Sequence, residues 1–162
     1  MKKNIFLTLL ISTLFAQDYS LFFNGSSDYL DIGRPINTYS GSDASFSFWF
    51  LVNYDYDQYG ALITNDTTPD NPQLAISLNQ LGQVEMRGEG FYISSPSGYR
   101  DNLWHHVVGI KSDGCLILYI DNSLIDSACG NDNMDHGEDW YIGIERTDPY
   151  DVSAPFEGYL DE

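Results

Sequence analysis

In the stretch SFSFWFLV, Ser45 and Ser47 alternate with Phe46 and Phe48 before the run becomes wholly apolar. A period of two places alternate side chains on opposite faces of a strand, and the apolar continuation is that of a strand entering a buried centre. On this reading Trp49 belongs to the core, as does Trp104 in LWHHVVGIK. Similar short runs recur along the chain, separated by clusters of Gly, Pro, Asn, Asp and Ser. They predict strands at residues 19–23, 29–32, 45–51, 60–64, 73–78, 83–88, 90–93, 104–111, 115–120, 124–128, 140–144 and 156–160. Helical periodicity is almost absent after residue 16, and there is no internal repeat, linker or low-complexity block. The pattern predicts an all-β domain, a two-sheet antiparallel sandwich or jelly roll.

The first residues follow a different rule. MKKNIFLTLLISTLFA carries Lys2 and Lys3, an apolar run over 5–15, and the small residue Ala16 before a polar segment. This is the form of a secretory signal peptide, residues 1–16, and its run is too short to span a bilayer. Residues 17–162 are then the mature domain, secreted or held at the cell surface, with no membrane insertion once the leader is removed. The two-lysine leader looks bacterial. Export would place Cys115 and Cys129, the only cysteines, in an oxidising compartment where a pair normally joins. Between them CLILYI and SLIDSAC flank Asp121-Asn122, residues that tolerate a tight left-handed turn. A two-residue turn there sets Cys115 opposite Ala128. A three-residue loop or a bulge sets it opposite Cys129, and only that register permits a disulfide.

Adjacent histidines invite a metal reading, but strand geometry opposes it. His105 and His106 point to opposite faces, so they cannot chelate one ion together, and His136 forms no spaced motif with either. They are read as strand residues.

The formal net charge of −17, with only seven Lys and Arg, argues against binding nucleic acid through a basic patch. The same acid excess supplies hard oxygen ligands of the kind Ca²⁺ prefers. Twelve tyrosines suit sheets and sugar-facing surfaces. Tyr54, Tyr56, Tyr59 and Tyr99 fall in turn-rich segments and are the candidates for ligand binding. No E-x-D-x-x-E string is present to put glycosidase carboxylates on one face of a strand, and no G-x-S-x-G marks a nucleophile. Catalysis is not expected.

Five motifs occur in order: YSLFFNGSSDYLDIG, SFSFWFLVN, LWHHVVGIKSDGCLILYIDNSLI, WYIGIE and FEGYLDE. Together they resemble the laminin G-like, concanavalin A-like jelly roll, a family related to the pentraxins. The resemblance covers nearly all of the mature chain. It implies a secreted, non-catalytic module that binds a glycan or a cell-surface protein, usually within a longer multidomain chain. A glycoside-active enzyme of the same fold and a purely architectural domain are the alternatives. The family's closing strand usually runs on past D-E, so the chain ending at Glu162 is expected to be a fragment of a longer protein, or else to have its closing strand cut short.

The pentraxin branch of the resemblance implies a Ca²⁺ site at Asp70, Asn71, Glu145 and Asp148. Arg146 departs from the branch's pattern and would put a positive charge beside the ion. A second oxygen set is Asn24, Asp28 and Asp161, where the first and last strands would meet; here Asn24 and Asp28 can equally well do no more than make a turn. GNDNMDHGED lacks the EF-hand glycine position and is read as a solvated acidic loop.

Overall fold

The computed structural model describes residues 19–34, 43–65, 74–88, 90–130, 139–148 and 151–162, so the leader lies outside the described residues. Among them there is no helix. Two six-stranded antiparallel sheets pack face to face. The first runs in the order β1 (Leu21–Asn24), β14 (Glu157–Asp161), β3 (Ala44–Leu51), β8 (Trp104–Ser112), β9 (Cys115–Ile120) and β10 (Ser123–Cys129). The second runs β2 (Leu30–Gly33), β11 (Trp140–Ile142), β4 (Gly60–Thr64), β5 (Ala75–Leu78), β6 (Val84–Gly88) and β7 (Phe91–Ser94). A small hairpin, β12 (Glu145–Asp148) with β13 (Asp151–Ser153), stands against β4.

The inner faces supply the core. Phe46 and Phe50 of β3, Val107 of β8 and Leu116, Leu118 and Ile120 of β9 meet Leu62, Ile76, Leu78, Val84, Met86 and Trp140 from the second sheet. Each large apolar side chain so buried contributes about 1.5–3 kcal/mol, and together they fix which face of each strand turns inward.

Every predicted strand is present, with ends shifted by a few residues. Two departures have physical causes. The strand expected over 140–144 stops at Ile142, because Gly143 adopts a φ of 85° and turns the chain. A Cβ at Gly143 would collide with the Phe23 ring, so this turn and this contact need glycine. Beyond it Glu145–Asp148 and Asp151–Ser153 pair antiparallel as β12 and β13, which their charged, aperiodic sequence does not announce.

The β9–β10 hairpin resolves the cysteine question. Asp121 and Asn122 both take positive φ, 50° and 63°, and form the two-residue turn with Ser123 opposite Ile120. A register shift between Leu124 and Asp126 then brings Cys129 opposite Cys115. The two are joined as a disulfide.

Placement of Trp49 and Trp104 in the core is corrected. Their side chains are 41% and 39% exposed. The alternation that begins at Ser45 does not stop; Phe46 and Phe50 face inward, and Ser45, Ser47 and Trp49 face out.

Candidate functional site

The outward face of the first sheet carries an unusual row of side chains. Pairing sets Phe22 opposite Tyr159, Tyr159 opposite Leu51, and Leu51 opposite Trp104, so one row crosses β1, β14, β3 and β8. The next row sets Asp161 opposite Trp49 and Trp49 opposite His106. Phe22 is 52% exposed and Tyr159 37%, comparable with the two tryptophans. The rings brace one another: Phe22 lies 5.0 Å from Tyr159, Tyr159 6.4 Å from Trp104, and Trp49 4.9 Å from the His106 imidazole. Such contacts restrict aromatic side chains before any ligand arrives. Trp49, Trp104, Ser20, Asp161 and Glu162 line an open hollow of about 560 Å³.

The adjacent histidines divide as strand geometry requires. His106 faces out and shares a 2.9 Å hydrogen bond with Ser47 Oγ. His105 faces in and is buried. Its Nδ1 donates to Asp121 Oδ2 at 2.8 Å and its Nε2 to Asp101 Oδ1 at 3.0 Å. Two ionised acceptors on one ring call for the doubly protonated imidazolium. Burial alone would lower the His105 pKa, but the bonds to Asp121 and Asp101 outweigh it and hold the pKa above its ordinary value. Conversely, burial would raise the Asp101 pKa, and the hydrogen bonds from His105 and the Leu103 amide bring it down. Asp121 Oδ1 also accepts the His106 amide at 2.9 Å. This lock fastens the loop before β8 to the turn after β9, next to Trp104 in the chain. With both ring nitrogens engaged, His105 has none to offer a substrate.

The tyrosines expected to bind do not form one surface. Tyr54 stands alone and exposed in the loop after β3. Tyr56 is buried, donates its hydroxyl to the Pro155 carbonyl at 2.7 Å, and has its pKa pushed up to about 12, chiefly by burial. Tyr59 lies over the second sheet, donating to Ser77 Oγ at 2.6 Å beneath the Arg87 guanidinium, 4.9 Å from its ring. Tyr99 packs edge-on against His105. Tyr56 and Tyr99 thus pack against neighbouring rings, Tyr59 lies beneath Arg87, and Tyr54 is open to solvent.

Of the expected calcium ligands, Asp70 and Asn71 lie outside the described residues. Glu145 and Asp148 are the first and last residues of β12, with Asp148 opposite Asp151. Glu145 lies within electrostatic reach of Arg87, whose charged form it helps to stabilise. Among the described residues no three His, Cys, Asp or Glu side chains cluster to hold a metal. The second oxygen set is dispersed. β1 and β14 do pair, but Asn24 stands opposite Glu157, at the far end of the strand from Asp161. Asn24 Oδ1 instead accepts the amides of Ser26, Ser27 and Asp28, which makes it a turn residue.

Residues 24–162 match the family Laminin_G_3, described as the concanavalin A-like lectin/glucanases superfamily, and the chain belongs to it. No curated protein sequence matches the chain. Among solved structures, mouse laminin alpha1 chain domains LG4-5 are similar at 18% identity and a TM-score of 0.61, over 90% of this chain and 40% of that one. The chain thus spans about two fifths of that laminin structure. A Ruminococcus gnavus IT-sialidase CBM40 bound to alpha2,3 sialyllactose is similar at 15% identity and a TM-score of 0.58, over 75% of this chain and 76% of that one. Domain 4 of AbnA, an extracellular arabinanase from Geobacillus stearothermophilus, in complex with arabinotriose, is similar at 17% identity and a TM-score of 0.60, over 88% of this chain and 67% of that one. At these identities the likeness is one of fold.

Proposed function

We propose that this chain is an exported, non-catalytic carbohydrate-binding module whose ligand lies on the outward face of the first sheet. The observation that carries the reading is the braced row of Phe22, Tyr159 and Trp104, with Trp49 beside it, open to solvent on a sheet face that nothing in the chain's described residues covers. Aromatic faces bury the apolar face of a sugar ring while polar neighbours bind its hydroxyls. Ser20 and Asp161 stand in the hollow to do the second task. Two similar folds are described in complex with sialyllactose and arabinotriose, which supports a glycan over a protein partner. The leader-like first residues and the disulfide support export. The absence of an alternating carboxylate string supports a role without catalysis.

Calcium enters as a separate proposal. Asp70, Asn71, Glu145 and Asp148 offer suitable hard oxygens, but Glu145 would be shared with Arg87. The β12 hairpin stands against the second sheet, so an ion there would brace that sheet's loops and take no part in contacts on the first.

A glycan array probed with the mature protein tests the reading. Binding should survive EDTA and disappear in a Trp49→Ala, Trp104→Ala double variant whose circular dichroism is unchanged. Failure to bind any glycan, or binding indifferent to both substitutions, would overturn it.

A further inference from the structure

The charge around this surface narrows the class of glycan, an inference that rests on the carbohydrate-binding reading above. The row from Phe22 to Trp104 crosses four adjacent strands. Three strand spacings of ~4.8 Å give a length of roughly 14 Å, more than one sugar ring occupies. The row is apolar apart from the Tyr159 hydroxyl and the Trp104 indole N–H, and its polar margin holds the Asp161 and Glu162 carboxylates in the hollow and the His106 imidazole beside Trp49. An ionised carboxylate only accepts hydrogen bonds, so it suits sugar hydroxyls and repels another carboxylate.

Among the described residues no Lys or Arg of this sheet offers a compensating charge on its outward face. The single Lys or Arg in the six strands of this sheet is Lys111, which is fully buried. Arg87 sits on β6 of the second sheet over the Tyr59 ring. Arg34 follows β2 of that sheet and is bonded to Asp139 at 2.9 Å. Arg100 spends its guanidinium on the carbonyls of Gln58, Asn79 and Gln80. Arg146 lies on the β12 hairpin. A sialylated or uronic sugar approaching the row would therefore meet Asp161 and the field of a −17 chain, with no guanidinium or ammonium to receive it.

We infer that the surface selects neutral glycans, takes at least three consecutive sugar residues laid across the strands, and rejects acidic ones. In this the chain parts from the similar fold that is described with sialyllactose. The closing experiment is an array of neutral, sialylated and uronic glycans of one to six residues, read at low salt, where charge effects are largest. Calorimetry on the tightest neutral and tightest acidic ligands follows. The neutral trisaccharide should bind about tenfold or more tightly than its monosaccharide, and about tenfold or more tightly than any acidic glycan of equal length. Asp161→Asn, nearly isosteric, should weaken the neutral ligand and narrow the gap to the acidic one. Trp104→Ala should weaken the neutral ligand about tenfold, with Trp104→Phe recovering part of it. An acidic glycan that binds as well as the neutral one, in a way Trp104→Ala abolishes, overturns the charge inference and leaves the binding surface standing. Equal affinity for monosaccharide and trisaccharide overturns the extended pose. No binding of any glycan overturns both the inference and the function beneath it.

Discussion

The outward faces of the two sheets are built in opposite ways. On the second sheet, Ser77 of β5 and Thr64 of β4 are fully buried, with Tyr59 above Ser77 and the β12–β13 hairpin against β4. At the centre of that face small residues lie under cover, and at the edge strand β7 a large ring, Tyr92, stands open at 64% exposure. On the first sheet, Trp49, Trp104, Tyr159 and Phe22 are large and open. An antiparallel sheet with one solvated face ordinarily turns polar residues outward, and a bare aromatic face there marks a contact surface. Aromatic residues in this chain therefore have two employments, and exposure, not residue type, separates them.

Buried and open tryptophans should respond to substitution in opposite ways. Trp140 is 1% exposed and packs 5.0 Å from Phe46, so Trp140→Ala should cost about 3–5 kcal/mol and be visible as a large fall in melting temperature. Trp49→Ala should cost under about 1 kcal/mol while removing ligand affinity. Equal losses of stability would erase the distinction between the two surfaces.

The disulfide holds the edge of the first sheet. Its removal by Cys115→Ser and Cys129→Ser together should cost about 2–4 kcal/mol, read by urea denaturation, with the platform strands β3 and β8 unchanged in the folded state. Loss of glycan binding in folded protein would show that the edge and the platform are coupled.

The neighbouring histidines provide a comparison within one strand. His105→Gln should cost about 1–3 kcal/mol, because Asp101 and Asp121 lose a charged donor; His106→Gln should scarcely change stability. The pH dependence has a definite sign. The raised His105 pKa contributes stability that is fully present below the unfolded value near 6.5 and is lost as pH rises through the folded value. The depressed Asp101 pKa contributes stability present above its unfolded value of 3.8 and lost as pH falls through the folded value. Melting temperatures against pH should therefore decline on the alkaline side in the native protein, and that decline should shrink in His105→Gln.

The smallest expected effect concerns calcium. EDTA should leave affinity at the first sheet unchanged, since Glu145 and Asp148 belong to the hairpin against the second. Should the four proposed ligands hold an ion, a hundredfold excess of Ca²⁺ over its dissociation constant would stabilise the fold by ~2.7 kcal/mol, and Asp70→Ala would erase that gain.

Much of this architecture was legible in the sequence because period-two patterning reports directly which side chains face the core. The alternation in WHHVV set His105 and His106 on opposite faces, as found. The same rule would have placed Trp49 beside Ser45 and Ser47 on the outside; the apolar run Phe48–Leu51 obscured it, because a two-sided apolar strand and a strand with an aromatic outer face read alike. The cysteine register stayed open because a bulge at Leu124–Asp126 leaves no composition signal. The partners of His105 were hidden for another reason. Asp121 is separated from it by 16 residues and joins it only through the hairpin that folds β9 back onto β8. The β12–β13 hairpin has no apolar alternation to reveal it.

The three tryptophans are natural reporters of whether ligand meets the outward face of the first sheet. In an amide and indole NMR titration with a neutral oligosaccharide, the indole N–H signals of Trp49 and Trp104 should shift together and saturate at one dissociation constant, while that of buried Trp140 stays in place. Saturable binding that leaves Trp49 and Trp104 unmoved, with shifts gathered instead around Tyr59, Arg87 and Glu145, would move the site to the second sheet and rule out the first.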